Sequence, residues 1–564
     1  MLANNPLTTP RFLPVLLAFC MFSTGASGLV NEYVLATLTT YILGNSIEQF
    51  SIVIASMMFM MGVSGLVQSK MSDNNLIQKF MLVEVCMAVL GGFAPLVIYA
   101  AYGYMDSHFL FVHYFFVLAV GFLIGFEIPI VMRIIEQNKV KLKTNLSIVY
   151  AMDYIGAFIG AVIWVKFLLK NYPLTEISFI VAGFNFAVAL VTILYFIKTG
   201  VLTKKWQSVL IILATVILLV AGYASNRELS NLFEQRFYDD PIVHKETTKY
   251  QHLVITENKT NGDVRLYING NTQFSSLDEQ RYHDFLVHPA MTLVEAKKNI
   301  LILGGGDGLA LREVLKYKDI HTVTLVDLDP AMVELARTNR YLRQLNRDAF
   351  HDSRIIVQPS VAISATNVKG MYLSNGKGDA EEPPESQWVA SVNVYNLDAD
   401  LFINQLANQQ WDVVIIDFPD PSSVELSKLY SKQFYKKLRR HLAPSAVVAI
   451  QSTSPYHAKE AFLSIGNTLK AAGYTALPYR QNIPSFGDWG FYLAWSGQQS
   501  ATQVRQYLSK TDSFQVNTGF ITPELMMASF AFGKGELLSK TQCINTIMQP
   551  CLLTQYSDYS WQIE

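Results

Sequence analysis

The fold of the C-terminal half is decided by residues 299–308, which read Asn-Ile-Leu-Ile-Leu-Gly-Gly-Gly-Asp-Gly. The apolar run predicts a buried strand, and the glycines after it predict a tight turn that a ligand can approach closely. A helix is expected over 309–317, and a second strand over 321–326 ends in Asp327. The order strand, glycine loop, helix, strand and acid is typical of a doubly wound, Rossmann-like parallel sheet.

The rest of this half fits the same α/β plan. Two alternating runs, His252–Glu257 and Val264–Ile268, are joined through Asn261-Gly262-Asp263 and predict a β-hairpin. The remaining predicted elements are helices at 276–287, 331–340 and 430–441, strands at 392–396, 412–416 and 446–451, and an inserted surface loop at 359–390. The expected division is a connector with a small β-hairpin subdomain at 226–297, a Rossmann-like domain at 298–500, and a C-terminal extension of little signal at 501–564.

The N-terminal part has a different composition. Of the 564 residues, 16% are charged and 51% hydrophobic, against ~25% charged in ordinary soluble proteins. Residues 1–225 contain only 12 Lys+Arg and 9 Asp+Glu. Seven apolar runs of spanning length lie near 11–30, 49–68, 78–101, 108–132, 146–168, 174–197 and 206–224. The first continues weakly past Asn31 and Glu32 through residue 43, so its end is left open. We therefore expect an all-α polytopic domain of about seven transmembrane helices in a lipid bilayer, with six or eight as the alternatives.

The charges in the short loops predict an orientation. Ten Lys and Arg side chains fall on one side of the predicted spans and two, Lys166 and Lys170, on the other. This bias places the N-terminus in the cytoplasm of a cell with an inner membrane, so seven spans would put the soluble half on the outer face. Cys543 and Cys551 are eight residues apart, a spacing that would close a small disulfide in an oxidising compartment. If residues 206–224 lie along the interface instead, the soluble half returns to the cytoplasm.

Several ionisable residues lie inside the apolar runs. They are Glu32, Glu84, His113, Glu127 and Asp153. Charge is costly in a bilayer, so each is a candidate functional residue. For Glu84 and His113 the sequence favours a structural role, such as hydrogen bonding between helices. For the other three, a structural role and a transport or substrate path are both left open.

The glycine loop and the acid after the second strand predict an adenosyl site. Gly304 and Gly306 allow a bound ligand to approach the backbone, and Asp327 is placed to accept hydrogen bonds from ribose hydroxyls. The loop is neither Gly-x-Gly-x-x-Gly nor a P-loop. Asp307 would repel a pyrophosphate but attract a cation such as a sulfonium or an amine.

A second acidic pair follows another buried strand. Asp417 and Asp420 lie just past residues 412–416, where open α/β sheets bind ligands, and Pro419 and Pro421 stiffen the turn. Two carboxylates there can hold a di-cationic amine, and one can accept its proton. No metal is expected, because no His or Cys lies nearby in sequence.

Residues 248–495 carry a series of further motifs. In order, they are Tyr250-Gln251, the run Asn269 to Gln273, Asp278-Glu279-Gln280-Arg281-Tyr282-His283-Asp284, His288-Pro289, the 304–308 loop, Arg312-Glu313-Val314, Asp327-Leu328-Asp329, 417–421, Leu429-Tyr430-Ser431, Phe434-Tyr435, 451–455 and 484–491. This series resembles the spermidine and spermine synthases, the polyamine aminopropyltransferases. The N-terminal part resembles the membrane-embedded branch of that family, through Gly28 to Glu32 and Gly125-Phe126-Glu127-Ile128-Pro129.

The resemblance implies a reaction and a role for each site residue. The family transfers the aminopropyl group of decarboxylated S-adenosylmethionine, a co-substrate, to putrescine and releases methylthioadenosine; no cofactor is implied. By resemblance, the nucleoside-binding residues are Gln251, Gly304, Gly306, Asp327, Asp398 and Ala399, the last two beside the adenine. The amine-binding residues are Asp420, Asp307, His283, Tyr282 and Gln451, and Asp417 is the catalytic proton acceptor.

The sequence departs from the family in ways that leave the acceptor amine open. Asp284 and Asp327 stand where the family usually or often has Glu, and Phe418-Pro419 replaces the small residues of many soluble members. Two rival functions are an S-adenosylmethionine-dependent methyltransferase and a polyamine transporter or sensor with a synthase-like domain. The expected partners are putrescine or a related polyamine and the lipid bilayer, with no nucleic acid, since the net charge is only −1. A homodimer is left open.

Overall fold

The structure is a computed structural model that describes residues 12–43, 46–105, 108–137, 142–198, 205–351, 371–372, 391–405, 409–541 and 543–559. The chain divides into two compact units, Met1–Ile242 and Val243–Glu564. We call them the helical unit and the catalytic unit. Most of the predicted insertion at 359–390 lies outside the described residues; within it, Met371–Tyr372 forms a short strand.

The helical unit contains seven helices that are long and apolar enough to cross a membrane, among the residues described. Its helices are α1 (Phe12–Leu43), α2 (Ser46–Ser69), α3 (Leu76–Tyr104), α4 (Phe109–Gln137), α5 (Leu142–Ile163), α6 (Leu169–Asn171), α7 (Leu174–Lys198) and α8 (Lys205–Glu234). A π-helical turn, Trp164–Leu168, joins α5 to α6 so that the two form one span. The number of apolar spans therefore matches the expected seven.

Two helices are longer than their most apolar stretches. The sequence left the end of the first open between residues 30 and 43, and α1 continues through Asn31 and Glu32 to Leu43. The last was expected to end at 224, but α8 reaches Glu234, so the predicted connector begins as helix. Both extensions contain polar residues, which lower the mean hydropathy, so hydropathy alone ends each span too early. The backbone hydrogen bonds of a helix do not require apolar side chains, and the helix therefore continues.

Close packing of α1 against α5 depends on glycine. A Cβ at Gly156 would lie 2.0 Å from the carbonyl oxygen of Phe22, and one at Gly160 would lie 2.6 Å from that of Ala26. Small residues at four-residue spacing allow helix backbones to approach in this way. These two glycines therefore allow the close contact between α1 and α5.

The catalytic unit begins with a four-stranded antiparallel sheet. Its strands, in spatial as well as sequence order, are β1 (Ile242–Thr247), β2 (His252–Glu257), β3 (Val264–Ile268) and β4 (Asn271–Ser275). The predicted hairpin is confirmed, since Leu253 pairs with Ile268 and Glu257 with Val264. Gly262 adopts a positive φ of 74° in the connecting loop.

The main sheet has eight strands in the order β11-β12-β10-β9-β5-β6-β8-β7. The bounds are β5 (Asn299–Gly304), β6 (Thr322–Asp327), β7 (Met371–Tyr372), β8 (Ser391–Asn396), β9 (Trp411–Asp417), β10 (Leu442–Gln451), β11 (Thr475–Ile483) and β12 (Gly487–Trp495). Strands β10, β9, β5, β6 and β8 run parallel. The doubly wound parallel core is thus as predicted, and β11, β12 and β7 add antiparallel edges.

Helices cover both faces of this sheet. They are α9 (Glu279–Leu293), α10 (Leu309–Val314), α11 (Pro330–Thr338), α12 (Arg340–Leu345), α13 (Ala399–Gln405), α14 (Val424–Leu429), α15 (Lys432–Arg439), α16 (Lys459–Ala471), α17 (Ala501–Leu508), α18 (Pro523–Ser529) and α19 (Cys551–Tyr559). The helix predicted at 276–287 begins three residues later and runs to Leu293. The helix predicted at 430–441 is present as α15, two residues shorter at each end, and Ser431 caps its start. The short helix before it, α14, was not predicted.

The two faces of the main sheet bury separate cores. On β5, Ile300 and Ile302 pack on one face, and Leu301 and Leu303 on the other. This explains the continuous apolar run at 299–303, because a parallel strand covered on both faces has no solvent-facing side. The tail, which has little sequence signal, contributes to both cores, for example through Ile521 and Leu552.

Candidate active site

Five strand ends of the main sheet meet at one edge. In the pairing register, Gly304 of β5 lies beside Asp417 of β9, and Asp327 of β6 lies beside Asn396 of β8. Gln451 ends β10, next to β9. Because parallel strands share a direction, their carboxyl ends gather the predicted side chains at the edge where such sheets bind ligands.

The glycine loop leaves room for acids from neighbouring strands. At Gly304, which has a φ of 85°, a Cβ would lie 2.1 Å from the carbonyl oxygen of Asp417. At Gly306 a Cβ would lie 2.7 Å from the carboxyl carbon of Asp327. Glycine is therefore required at both positions, and at Gly304 the backbone conformation requires it as well.

Two backbone hydrogen bonds orient Asp327. The backbone N–H of Gly306 donates to its Oδ2 at 3.0 Å, and that of Asp329 donates to its Oδ1 at 2.9 Å. Burial raises the pKa of Asp327 to about 6; the two backbone hydrogen bonds oppose this, while the charges of Asp307 and Asp329 reinforce it. A carboxylate held in this way can accept further hydrogen bonds from a vicinal diol.

The predicted nucleoside contact Gln251 lies near the same strand end. Its backbone N–H donates to the Thr248 hydroxyl at 3.0 Å, and that hydroxyl donates to Asp329 Oδ2 at 2.6 Å. The turn between β1 and β2 is thus tied to the segment that follows Asp327. Gln251 itself is half-buried.

Asp398 and Ala399 follow β8. Asp398 Oδ1 accepts from the backbone N–H groups of Asp400 (2.8 Å) and Leu401 (3.1 Å), and Lys428 Nζ lies 3.0 Å from its Oδ2. The acid therefore caps α13 and forms a half-exposed ion pair. Ala399 is buried. Asp398 and Ala399 lie at the same sheet edge as Asp327. Within the described residues, the hydrogen bonds of Asp398 are those with Asp400, Leu401 and Lys428, outside the acid cluster described next.

Asp417 is held by a tyrosine. The Tyr282 hydroxyl donates to Asp417 Oδ1 at 2.6 Å. Burial raises the pKa of Asp417 to about 6; the positive charge of His283 and the Tyr282 hydrogen bond lower it, and the negative charge of Asp307 raises it. The structure therefore brings Asp417, Tyr282, His283 and Asp307 together, as the sequence predicted. Such a carboxylate is ionised at neutral pH and still basic enough to accept a proton.

His283 is a buried cation. Its Nδ1 lies 3.0 Å from Glu279 Oε2 and 2.8 Å from the Glu279 carbonyl oxygen. Burial alone would lower its pKa, but Glu279, Asp307 and Asp417 together raise the pKa of His283 to about 9. Arg312 holds Glu279 with two hydrogen bonds of 2.8 and 2.9 Å. This support was not predicted, although the i,i+4 spacing of Glu279 and His283 on one helix is a signal that could have revealed it.

Asp420 accepts three hydrogen bonds. They come from the Thr453 hydroxyl (3.0 Å), Gln451 Nε2 (3.2 Å) and the Tyr556 hydroxyl (2.9 Å). Gln451 Nε2 also contacts the Tyr430 hydroxyl and the Phe418 carbonyl. Burial raises the pKa of Asp420, and the three hydrogen bonds oppose the increase. The predicted pair of Asp420 and Gln451 is therefore present.

Sequence reasoning missed Tyr556, which belongs to the tail. A disulfide joins Cys543 to Cys551 at the start of α19, a pairing that the spacing allows and that the sequence left open. Asn545 lies in the intervening loop, and its Nδ2 donates to the Ser427 carbonyl at 2.7 Å. The loop and helix are thus fixed on the catalytic unit, and α19 brings Tyr556 to Asp420. The cysteine spacing could have pointed to the loop, but it could not indicate where the helix docks.

A third acidic group, Asp284, His288 and Glu313, has ligand atoms close enough for a metal ion. Its charges are already matched, since Arg312 Nε lies 2.7 Å from Glu313 and Lys316 also pairs with it. Asp284 Oδ2 accepts the backbone N–H groups of Phe520 (2.6 Å) and Ile521 (3.0 Å). The shortened acid at 284 therefore anchors the tail, and these residues form a structural ionic network.

The parallel sheet is Rossmann-like, and it brings Asp327 and Asp417 to the edge where such sheets bind their ligands. The family model described as "Spermine/spermidine synthase domain" matches residues 279–365 and 386–506. The chain belongs to this family, the polyamine aminopropyltransferases, and is a transferase of aminopropyl groups.

Relatives cover nearly the whole chain. A polyamine aminopropyltransferase of Oceanobacillus iheyensis is 34% identical over 547 residues, which are 95% of each chain. Polyamine aminopropyltransferase 1 of Streptomyces coelicolor is 39% identical over 498 residues, 86% of this chain and 84% of that one. The spermidine synthase from Thermotoga maritima, a solved structure, is 23% identical, with a TM-score of 0.40 over 52% of this chain and 87% of its own. The first alignment necessarily includes most of the helical unit.

Proposed function

We propose that this enzyme transfers the aminopropyl group of decarboxylated S-adenosylmethionine to putrescine or a related diamine. The observation that carries the proposal is the pair Asp417 and Asp420 on one strand end, each held by its own tyrosine. Two fixed carboxylates at one edge suit an amine with two cationic ends. The nearby Asp327 supplies a site for the ribose of the donor.

The reaction is a substitution at the carbon beside the sulfonium. The lone pair of the acceptor nitrogen forms the new C–N bond as the C–S bond breaks. The bonding electrons move to sulfur, which becomes the neutral thioether of methylthioadenosine. The proton lost by the nitrogen passes to Asp417, while Asp420 and Gln451 hold the distal amine. No metal or further cofactor takes part in this scheme.

Electrostatics favour both substrates in the same site. Asp307, Asp417 and Asp420 are half-buried acids near the place of reaction, so they stabilise a sulfonium and an ammonium group. The His283 cation keeps Asp417 and Asp307 ionised by opposing the effect of burial. Tyr282 fixes the Asp417 carboxylate by donating to one of its oxygens.

A product assay tests the reaction type and the acceptor together. Purified full-length protein is incubated with labelled S-adenosylmethionine or its decarboxylated form, and with diamines of three to five carbons. The proposal requires aminopropylated product and methylthioadenosine from the decarboxylated donor only. Methylated amine formed from S-adenosylmethionine would instead establish the methyltransferase alternative.

We also propose that the helical unit spans a membrane, with the catalytic unit on its outer face. An odd number of apolar helices, the Lys and Arg bias of the loops and the Cys543–Cys551 disulfide all favour this arrangement. The cytosol is the expected source of the donor, so an external enzyme needs it delivered. C-terminal fusions test the proposal: active alkaline phosphatase without green fluorescence supports it, and the reverse pattern contradicts it.

A homodimer stays a prediction, testable by the mass of the purified protein.

A further inference from the structure

Among the described residues, the interior of the helical unit contains two buried acids with unpaired carboxylate oxygens. Glu84 of α3 is 0% exposed, and among the described residues neither of its carboxylate oxygens has a hydrogen-bond partner. Glu127 of α4 is 2% exposed, and its Oε1 is likewise unpaired within the described residues. An unsatisfied carboxylate in such surroundings is costly, so it marks a place where a ligand or a proton must be supplied.

These acids belong to one group that four helices contribute. Glu127 interacts electrostatically with Glu84 and with Asp153 of α5, and Asp153 interacts in turn with Glu32 of α1. Gly25 of α1 makes room for the group, since a Cβ there would lie 2.7 Å from Asp153 Oδ1. We call Glu32, Glu84, Glu127 and Asp153 the interhelical acid group.

Uncharged polar side chains lie on the same face of α1. Thr24 lies beside Glu127, and Ser27, three residues further along, donates to Asn185 of α7. Asn185 is 0% exposed, and its Nδ2 has no partner in the part of the chain that the structure describes. The acid group is therefore continuous with a polar stripe inside an otherwise apolar bundle, and this stripe has an unsatisfied group of its own.

The group also lacks a counter-ion. In the described part of the helical unit, the ion pair formed is that of Arg133 with Asp73, and none involves these four acids. The four acids lie on four different helices, α1, α3, α4 and α5. Among the described residues, the metal-type cluster found is that of Asp284, His288 and Glu313, in the catalytic unit. Separated carboxylates without a basic partner are suited to an extended cation with charges at both ends.

We propose that the interhelical acid group is a second binding site for a diamine or polyamine. The choice of ligand rests on the proposed function, because the catalytic unit handles cations of that shape and charge. Glu84 and Glu127 bind one ammonium group, and Asp153 with Glu32 binds the other. The site places in the bundle the same class of molecule that the sheet edge binds.

Binding stoichiometry tests this site. Full-length protein in detergent is dialysed against labelled putrescine without donor. Wild type is expected to bind two equivalents, and Asp420→Asn to retain one. Glu84→Gln and Glu127→Gln each keep the shape of the side chain but remove its charge, and each should weaken the second equivalent at least tenfold. Glu136→Gln, on the exposed end of α4, is the matched control and should bind like wild type.

The outcomes separate this proposal from the function of the catalytic unit. The second site is overturned if active wild-type protein binds only one equivalent and Asp420→Asn binds none. Two equivalents that persist in both glutamine variants also overturn it. Absence of aminopropyl transfer with every diamine contradicts the proposed function, whatever the stoichiometry. Asp153→Asn serves as a further variant if a glutamine variant fails to fold, as judged by size-exclusion chromatography.

Discussion

Replacing Asp417 by Asn should abolish proton acceptance while leaving the site intact. The amide is nearly the same size, and it can still accept the 2.6 Å hydrogen bond from Tyr282. It cannot take the proton of the attacking amine, and losing a general base costs ~10²–10⁴-fold in rate. That loss corresponds to roughly 2.7–5.5 kcal/mol of transition-state stabilisation. Methylthioadenosine should still bind within about twofold of wild type, since Asp327 and the glycine loop are unchanged.

The pH profile adds a second signature. Burial and Asp307 raise the pKa of Asp417 to about 6 against the opposing effect of His283. Only the ionised form accepts a proton, so wild-type turnover should rise as pH increases through about 6. The variant should lack this rise. Release of methylthioadenosine is followed by chromatography from pH 5 to 9, and affinity by calorimetry.

Glu425→Gln is a suitable control for this series. It removes an exposed acid on α14, shortly after the same loop, and should retain wild-type turnover and profile. Near wild-type turnover of Asp417→Asn at neutral pH would refute the assignment of Asp417 as the base. An unchanged acidic limb in a slow variant would show that another group, such as Asp307, sets the pH dependence.

Three further substitutions probe the rest of the site. Asp327→Ala should weaken methylthioadenosine binding by about 1.5–3 kcal/mol, the scale of hydrogen bonds to a charged group; calorimetry should show putrescine affinity unchanged, and equal losses for both ligands would contradict a ribose role. Gly306→Ala places a methyl group 2.7 Å from the Asp327 carboxyl carbon, so nucleoside affinity should fall at least tenfold, and wild-type affinity would show that the acid can move without loss. Tyr556→Phe removes one of three hydrogen bonds to Asp420, so the KM for the amine should rise about 5–100-fold with a smaller change in kcat; a fall in kcat alone would exclude a role in amine binding, and thermal melting reports any loss of fold.

The sequence was sufficient for the parts of the fold that follow from local pattern. The run at 299–303, the glycines after it and the acids at 327 and 417 each mark a strand end, and parallel pairing then brings them to one edge. The seven apolar spans and the cysteine spacing are also legible along the chain. Element ends were less accurate: the break between α14 and α15 depends on the cap at Ser431, and α8 continues beyond its apolar stretch.

Tertiary structure decided what surrounds each of these groups. Tyr556 is 136 residues from Asp420, and the helix that brings it there has no pattern that predicts its docking face. The charge on His283 depends on Glu279, which Arg312 holds from another helix. The acids of the helical unit interact only because four helices pack together. Sequence patterns report local backbone preference and burial, whereas the protonation and partners of a side chain depend on distances across the fold, which only packing sets.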